Sequence, residues 1–323
     1  MEGPTNYAVN FNEIKESHQR IKDFIHLTPV LSNSTINELS GKQLYFKCEN
    51  FQKSCSFKFR GASNAILKLS EEELKSGVVT HSSGNHGQGL AKAAKMKNTK
   101  AYIVVPSNAP QIKINAIRDY GAEVVLCEPT LVARETNCQN LIDKHGCTLV
   151  HPFDNESIIQ GQGTVALELL EQVPDLDCIV CPVGGGGLLS GICIAAKAIK
   201  PNIKVIAAEP EGADDAFRSK QAGSVQKHSE NKPNTIADGL LTTVGSRNWP
   251  IIRDLCDEII TVSDQEIKEA MRLIWERMKI IVEPSSATAL AITLKQQFKD
   301  KTDLKKVGIV ISGGNVDLDK WKW

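Results

Sequence analysis

Cys178-Ile179-Val180-Cys181-Pro182-Val183-Gly184-Gly185-Gly186-Gly187-Leu188-Leu189 reads as a strand, a run of four glycines and the start of a helix. The strand is apolar on both faces, as in a parallel sheet covered by helices on either side. Four successive glycines leave backbone amides uncovered at the positive end of the next helix, where they cradle an anion, a phosphate above all. A bare turn gains nothing from such a run, because each glycine costs up to about 1 kcal/mol of ordering. No Lys-Ser/Thr pair follows, so this is no P-loop. Ser190 stands where a dinucleotide fingerprint needs its third glycine. Glu209 nonetheless ends the next strand where a ribose-binding acid would fall, which keeps a dinucleotide-binding oxidoreductase as an alternative.

The same alternation extends both ways from this stretch. Downstream come a helix over 188–200, strands over 204–208 and 258–262, a helix over 264–279 capped by Ser263, a helix over 285–296 and a strand over 307–311. A helix over 163–173 precedes the glycine run, and the polar stretch 223–234 reads as a surface loop. Upstream, strands over 78–80, 101–105, 123–126 and 148–150 alternate with helices over 88–97, 112–120 and 131–144 as a compact four-strand unit. Phe11, Ile14, His18, Ile21 and Ile25 mark an amphipathic first helix in which His18 is a packing residue, and 43–47 is a strand. The expectation is an α/β chain with two domains: a small one over 77–151, set into a large one made of 1–76 and 152–323.

The length of 323 residues permits two domains, since single cores stop growing near ~250–300 residues. Lys+Arg and Asp+Glu are equal at 38 each, so no overall field draws the chain to nucleic acid or an anionic membrane; a small molecule is the favoured partner. The nine cysteines are odd in number and scattered, which suits a reducing cytosol better than a secreted disulfide framework. Cys178 and Cys181 form a lone C-x-x-C with no second pair at zinc spacing. The N-terminus shows neither a leader nor an apolar run long enough to span a bilayer.

In Ser56-Phe57-Lys58-Phe59-Arg60 a lysine sits between two phenylalanines at a helix start that Ser56 is placed to cap. Apolar neighbours lower a lysine's pKa and make its amine a nucleophile toward a carbonyl, although the stretch alone fits a snorkelling surface lysine as well. The turn after the strand at 78–80, His81-Ser82-Ser83-Gly84-Asn85-His86-Gly87, points backbone N–H groups into one concavity suited to a carboxylate. Ser312-Gly313-Gly314-Asn315 follows the last strand and offers a hydroxyl to a heterocycle nitrogen. A phosphate cradle beside a desolvated lysine points to pyridoxal phosphate, whose aldehyde takes up a lysine amine.

Together these stretches resemble the serine/threonine dehydratase and serine racemase family of pyridoxal enzymes, with the tryptophan-synthase-β fold (fold type II). Ile25 to Val30, Ser82 to Gln88, Ala101 to Pro106, Trp275 to Lys279 and Ser312 to Leu318 carry the likeness over nearly the whole chain, most closely to animal racemases. The resemblance implies that Lys58 carries the cofactor with Phe57 beside its ring. It further implies that Gly184, Gly185, Gly186 and Gly187 hold the phosphate, Asn85 the ring hydroxyl and Ser312 the ring nitrogen. Ser82, Ser83, Gly84, Asn85 and His86 would bind the substrate carboxylate, with Arg134 also near the substrate. Lys58 and Ser83 would exchange the α-proton on opposite faces, giving racemisation of serine together with elimination to pyruvate and ammonia.

Glu209, Ala213 and Asp215 match the family's divalent-cation site for magnesium or calcium, whereas by residue type alone Glu209 and Asp215 read as a solvated turn. Gln88, Tyr120, Lys279 and Asn315 match positions that contact ATP, an allosteric activator of animal racemases, and a homodimer is implied. Phe153 departs from the asparagine of vertebrate racemases, which leaves a serine/threonine dehydratase as an alternative. An aspartate racemase is the other, although Asp154 and Glu156 would repel a second substrate carboxylate if they faced the site, a repulsion Arg134 could counter.

Overall fold

The computed structural model describes residues 7–82, 84–109, 111–228 and 233–321, and in these ten strands form two sheets. The chain opens with α1 (Phe11–Ile21), held by a reciprocal Asn10/Glu13 cap, then β1 (Val30–Leu31), α2 (Ser34–Ser40) and β2 (Gln43–Cys48). Helices α3 (Lys58–Leu67) and α4 (Glu71–Ser76) lead to the four-stranded sheet. Its strands β3 (Val78–His81), β4 (Ala101–Pro106), β5 (Glu123–Cys127) and β6 (Thr148–Leu149) lie in the order β5-β4-β3-β6. Helices α5 (Asn85–Met96), α6 (Gln111–Asp119) and α7 (Leu131–His145) connect them.

The chain returns to the first sheet through α8 (Glu156–Gln172), β7 (Cys178–Pro182), α9 (Gly187–Ile199), β8 (Lys204–Pro210), α10 (Asp215–Ala222), α11 (Asn248–Leu255) and β9 (Glu258–Val262). Helices α12 (Asp264–Met278), α13 (Pro284–Leu294) and α14 (Gln296–Lys299) precede β10 (Lys306–Ile311). The sheet order is β1-β2-β10-β7-β8-β9, so the last strand lies between β2 and β7, parallel to both.

Strand β7 is buried on both faces. Ile179 and Cys181 join the core beneath α8, α9 and α11, while Cys178 and Val180 join the one beneath α12 and α13. The two cysteines of the C-x-x-C therefore point to opposite faces, and all nine cysteines are free thiols.

Two boundaries differ from the sequence reading for physical reasons. Helix α8 begins at Glu156 rather than near 163, because Asn155 caps it by accepting from the Ile158 N–H. The glycines that suggested a later start are crossing points: a Cβ on Gly161 would fall 2.5 Å from the Gly61 Cα, so only glycine lets α3 and α8 approach so closely. Ser56 does not cap α3. Its backbone bridges Gly313, its hydroxyl is buried without a partner, and Phe57 occupies the cap position in helical conformation.

What anchors α3 is charge. Arg60, fully buried, donates to Glu49 at 2.7 Å and to Glu168 at 2.6 Å, and Lys47 reaches Glu168 at 2.6 Å. Two cations face two carboxylates, so the quartet is neutral and its members satisfy one another.

Candidate active site

Lys58 stands at the first turn of α3 because the chain before it is pinned. Ser54 (φ 64°) and Cys55 (φ 56°) are both left-handed, an uncommon conformation for residues with side chains. The Cys55 carbonyl accepts from Gly314 N–H at 2.9 Å, and Phe57 N–H donates to Ser312 O at 3.0 Å, so the end of β10 fixes the segment. Lys58 Nζ donates to Pro152 O at 2.7 Å and lies 5.2 Å from the centre of the Phe57 ring. Burial lowers its pKa to about 8, with the Glu283 carboxylate opposing the shift.

The glycine run joins β7 to α9, as expected, with Gly186 left-handed at φ 92° before the helix. A Cβ on Gly185 would lie 2.3 Å from the ring of Phe153. The Gly185 carbonyl is held by Gly245 N–H at 3.1 Å and Asn248 Nδ2 at 2.9 Å, which turns the neighbouring amides toward the helix end. Only side-chain-free residues fit here, and the arrangement suits a phosphate.

The turn after β3 carries Ser82, Gly84, Asn85 and His86, and α5 begins at Asn85 rather than Gln88. Ser83 lies outside the described residues. Asn85 Nδ2 donates to Glu283 Oε1 at 2.6 Å, and its oxygen accepts from Asn315 Nδ2 at 2.9 Å. Burial lifts Glu283 to about 7, and the charge of Asp238 lifts it further. At the end of β10 the Ser312 hydroxyl is 3.1 Å from that of Ser286, which also accepts from Gly313 N–H at 2.7 Å.

Three imidazoles line the floor of the cleft. His86 is buried, with Nε2 3.1 Å from the Val150 carbonyl. His81 and His151 meet edge to face at 5.6 Å, and His151 meets Phe153 in the same way at 4.7 Å. Desolvation lowers all three pKa values, His151 to about 4, so the rings are neutral at neutral pH. Arg134, in the first turn of α7, is close enough to His81 for its charge to add to that lowering. The Asp154 carboxylate is occupied by the Ser246 hydroxyl and the N–H groups of Ser246 and Arg247.

Glu209 and Asp215 are buried, not a solvated turn. Glu209 accepts from Ala216 N–H and Phe217 N–H at 2.8 Å each, and Asp215 Oδ2 from Val244 N–H at 2.9 Å. Asp215 Oδ1 makes no hydrogen bond, although His228 Nε2 stands 3.3 Å away. Desolvation and the neighbouring Asp215 push Glu209 well up, and desolvation pushes Asp215 to about 7. Two buried carboxylates with a lone pair unused fit a hard cation that a carbonyl such as that of Ala213 could complete. Among the described residues no three His, Cys, Asp or Glu side chains gather as a metal cluster.

Of the four positions matched to ATP, Asn315 is joined to Asn85 and to the Ser54 carbonyl. Gln88 is buried in α5, Tyr120 lies beneath Lys92 after α6, and Lys279 ends α12 in a left-handed conformation.

Glu283, Ser286 and the Pro152 carbonyl escaped the sequence reading. Glu283 and Ser286 flank the apparent start of an apolar helix, so only their convergence in space marks them.

Comparison with known proteins agrees with this geometry. The model of the "Pyridoxal-phosphate dependent enzyme" family matches residues 21–313, which displaces the dinucleotide reading of Glu209. A serine racemase of Dictyostelium discoideum is 66% identical over 96% of each chain. A crystal structure of serine racemase from the same organism superposes with a TM-score of 0.92 at 65% identity, covering 96% of this chain and 100% of the other. The crystal structure of a bacterial-type threonine deaminase superposes with a TM-score of 0.90 at 40% identity, covering 96% and 99%.

Proposed function

The chain belongs to the pyridoxal-phosphate-dependent enzyme family, and from that membership we propose that it interconverts L- and D-serine and also eliminates water from serine to give pyruvate and ammonia. The observation that carries the reading is Lys58, lowered to about 8 at the mouth of a cleft with a glycine cradle, in a chain so similar to serine racemases. When bound, pyridoxal phosphate supplies an electron sink that makes the substrate α-hydrogen acidic.

The residues of this chain do the rest. Gly184 to Gly187 hold the phosphate, Asn85 the ring hydroxyl, Ser312 the ring nitrogen, and Phe57 packs beside the ring. A serine hydroxyl at that nitrogen accepts or donates without imposing a fixed positive charge. The α5 N-terminus with Ser82, Gly84, Asn85 and His86 receives the substrate carboxylate, and Arg134 stands behind it. Lys58 Nζ, largely neutral near pH 8, takes the α-proton from one face. Ser83, placed in this role by sequence, returns a proton to the other.

The finer parts of the reading rest on narrower support. The 40%-identical threonine deaminase supports the elimination activity. The spare Asp215 oxygen supports Mg2+ or Ca2+ at Glu209, Asp215 and the Ala213 carbonyl. ATP at Gln88, Tyr120, Lys279 and Asn315 rests on the sequence match. A small domain over 77–151 within a large one of 1–76 and 152–323 is supported by the four-stranded sheet's strands all falling within 78–149. Exposed Leu27, Phe51 and Ile281 lie on one face, where His26 Nδ1 is 3.0 Å from the Phe51 carbonyl and Asn50 donates to the Ile281 carbonyl at 3.2 Å. That apolar face suits a second copy in a homodimer. Free thiols, all but Cys55 buried, suit a cytosolic enzyme.

The deciding experiment incubates the protein with pyridoxal phosphate, L-serine, Mg2+ and ATP in D2O and measures D-serine, its α-deuterium and pyruvate together. Deuterated D-serine supports proton transfer on two faces, and its loss in Ser83→Ala with some elimination retained supports Ser83. Pyruvate alone would replace the racemase with a dehydratase.

A further inference from the structure

One ion pair that spans the two sheets has no part in the chemistry above. Lys113 on α6, beside the four-stranded sheet, pairs with Asp238. Asp238 opens the short turn Asp238–Leu240, which is tied to α13 because Gly239 N–H donates to Ser285 Oγ at 3.0 Å. The Lys113 side chain is only 12% exposed, against 46% for Asp238.

The ammonium has a second neighbour. It lies 4.0 Å from the point where a Cβ on Gly84 would stand, at the N-cap of the twelve-residue helix α5. That end of α5 is positive, and Gly84 brings no side chain to satisfy its first amides. A lysine held against it is electrostatically adverse unless anions gather there. Asp238 is one such anion, and Glu283 is close enough to feel the charges of both Lys113 and Asp238. A carboxylate seated on the α5 amides would be the next.

Resting on the amino-acid reading above, we propose that Lys113 binds the substrate carboxylate together with the α5 N-terminus and, through Asp238, couples that binding to closure of the cleft. The ammonium thus serves two anions, one arriving with substrate and one carried by the opposite wall. Loss of the lysine removes a charge-assisted contact to substrate; loss of the aspartate leaves that contact but unties the walls.

The test uses holoenzyme of the wild type, Lys113→Met, Lys113→Arg, Asp238→Asn and the exchanged pair Lys113→Asp/Asp238→Lys. KM and kcat for L-serine are measured across ionic strength, with hydrogen exchange of residues 111–119 and 238–240. Lys113→Met is expected to raise KM on the order of tenfold, as one lost charged hydrogen bond does, and to flatten its salt dependence. Its bound cofactor should keep the wild-type visible absorption, and Lys113→Arg should recover most of the KM. Asp238→Asn should lower kcat more than it raises KM and speed exchange in 111–119. The exchanged pair should restore slow exchange without restoring KM. Wild-type KM and salt dependence in Lys113→Met would overturn the carboxylate role, and unaltered exchange in Asp238→Asn would overturn the coupling. Each variant is read against wild-type turnover, so failure of the serine reading shows in the wild type and failure of the Lys113 assignment only in the variants.

Discussion

Lys58 Nζ and the Pro152 carbonyl oxygen are 2.7 Å apart, so the amine is aimed by the strand-to-helix turn that follows the four-stranded sheet. The lysine is therefore oriented as well as desolvated. Its pKa of about 8 sits well below the ~10.4 of an ordinary lysine, which sets the pH at which it can react. Capture of pyridoxal phosphate by cofactor-free protein should accelerate with pH and level off above about 8. Lys58→Ala should lose the visible absorption of the lysine-bound cofactor. A variant that kept that absorption would sink the assignment.

Glu283 is lifted to about 7 yet holds Asn85 at 2.6 Å. Its carboxylate should therefore appear as a limb in the pH dependence of kcat/KM near that value. Glutamine can still accept from Asn85 but cannot titrate, so Glu283→Gln should erase the limb while cofactor stays bound. A limb that persists in the variant belongs to another group.

Buried Glu209 and Asp215 make a prediction about stability. Their folded-state pKa values lie above the unfolded ones, so the folded chain holds protons that the unfolded chain has released. That stability is full below the ordinary carboxylate range and is lost as pH rises through about 7. In chelator, Tm should fall across this window; Mg2+ or Ca2+ should restore it. Asp215→Asn should reduce both the fall and the cation response. An undiminished cation response in that variant would place the ion elsewhere.

Phe153 closes over Gly185 and abuts His151. Phe153→Asn opens space and adds polar groups beside the glycine cradle. The ratio of D-serine to pyruvate should rise several-fold, an effect of about 1 kcal/mol between competing barriers. An unchanged ratio would free Phe153 from any part in partitioning.

Arg60 supports the site from behind. Arg60→Met would leave Glu49 and Glu168 buried with only Lys47 between them, a loss of ~3–5 kcal/mol. Urea unfolding of the variant should show that loss, and a midpoint equal to wild type would show that the quartet adds nothing.

The parallel α/β architecture was legible because β7, β8 and β10 are continuous apolar runs, and such runs have few other uses. The glycine cradle and Lys58 were legible because they are contiguous motifs. Ser56 misled because a serine before a helix usually caps it, whereas here its backbone is taken by Gly313. Glu209 and Asp215 looked solvated because nothing local shows that α10 and Val244 enclose them. Glu283 was invisible for the same reason: its partner Asn85 lies 198 residues away.

The position of β10 also bears on how the protein is made. Residues 78–149 can pair their strands as soon as they emerge, since every partner is nearby in the chain. The other sheet must wait, because the strand that separates β2 from β7 is among the last to be synthesised. Lys58 leaves the ribosome early, but the Ser312 carbonyl that fixes the backbone of Phe57 beside it arrives only at the end. Translation itself thus keeps the reactive amine unassembled until the chain is nearly complete.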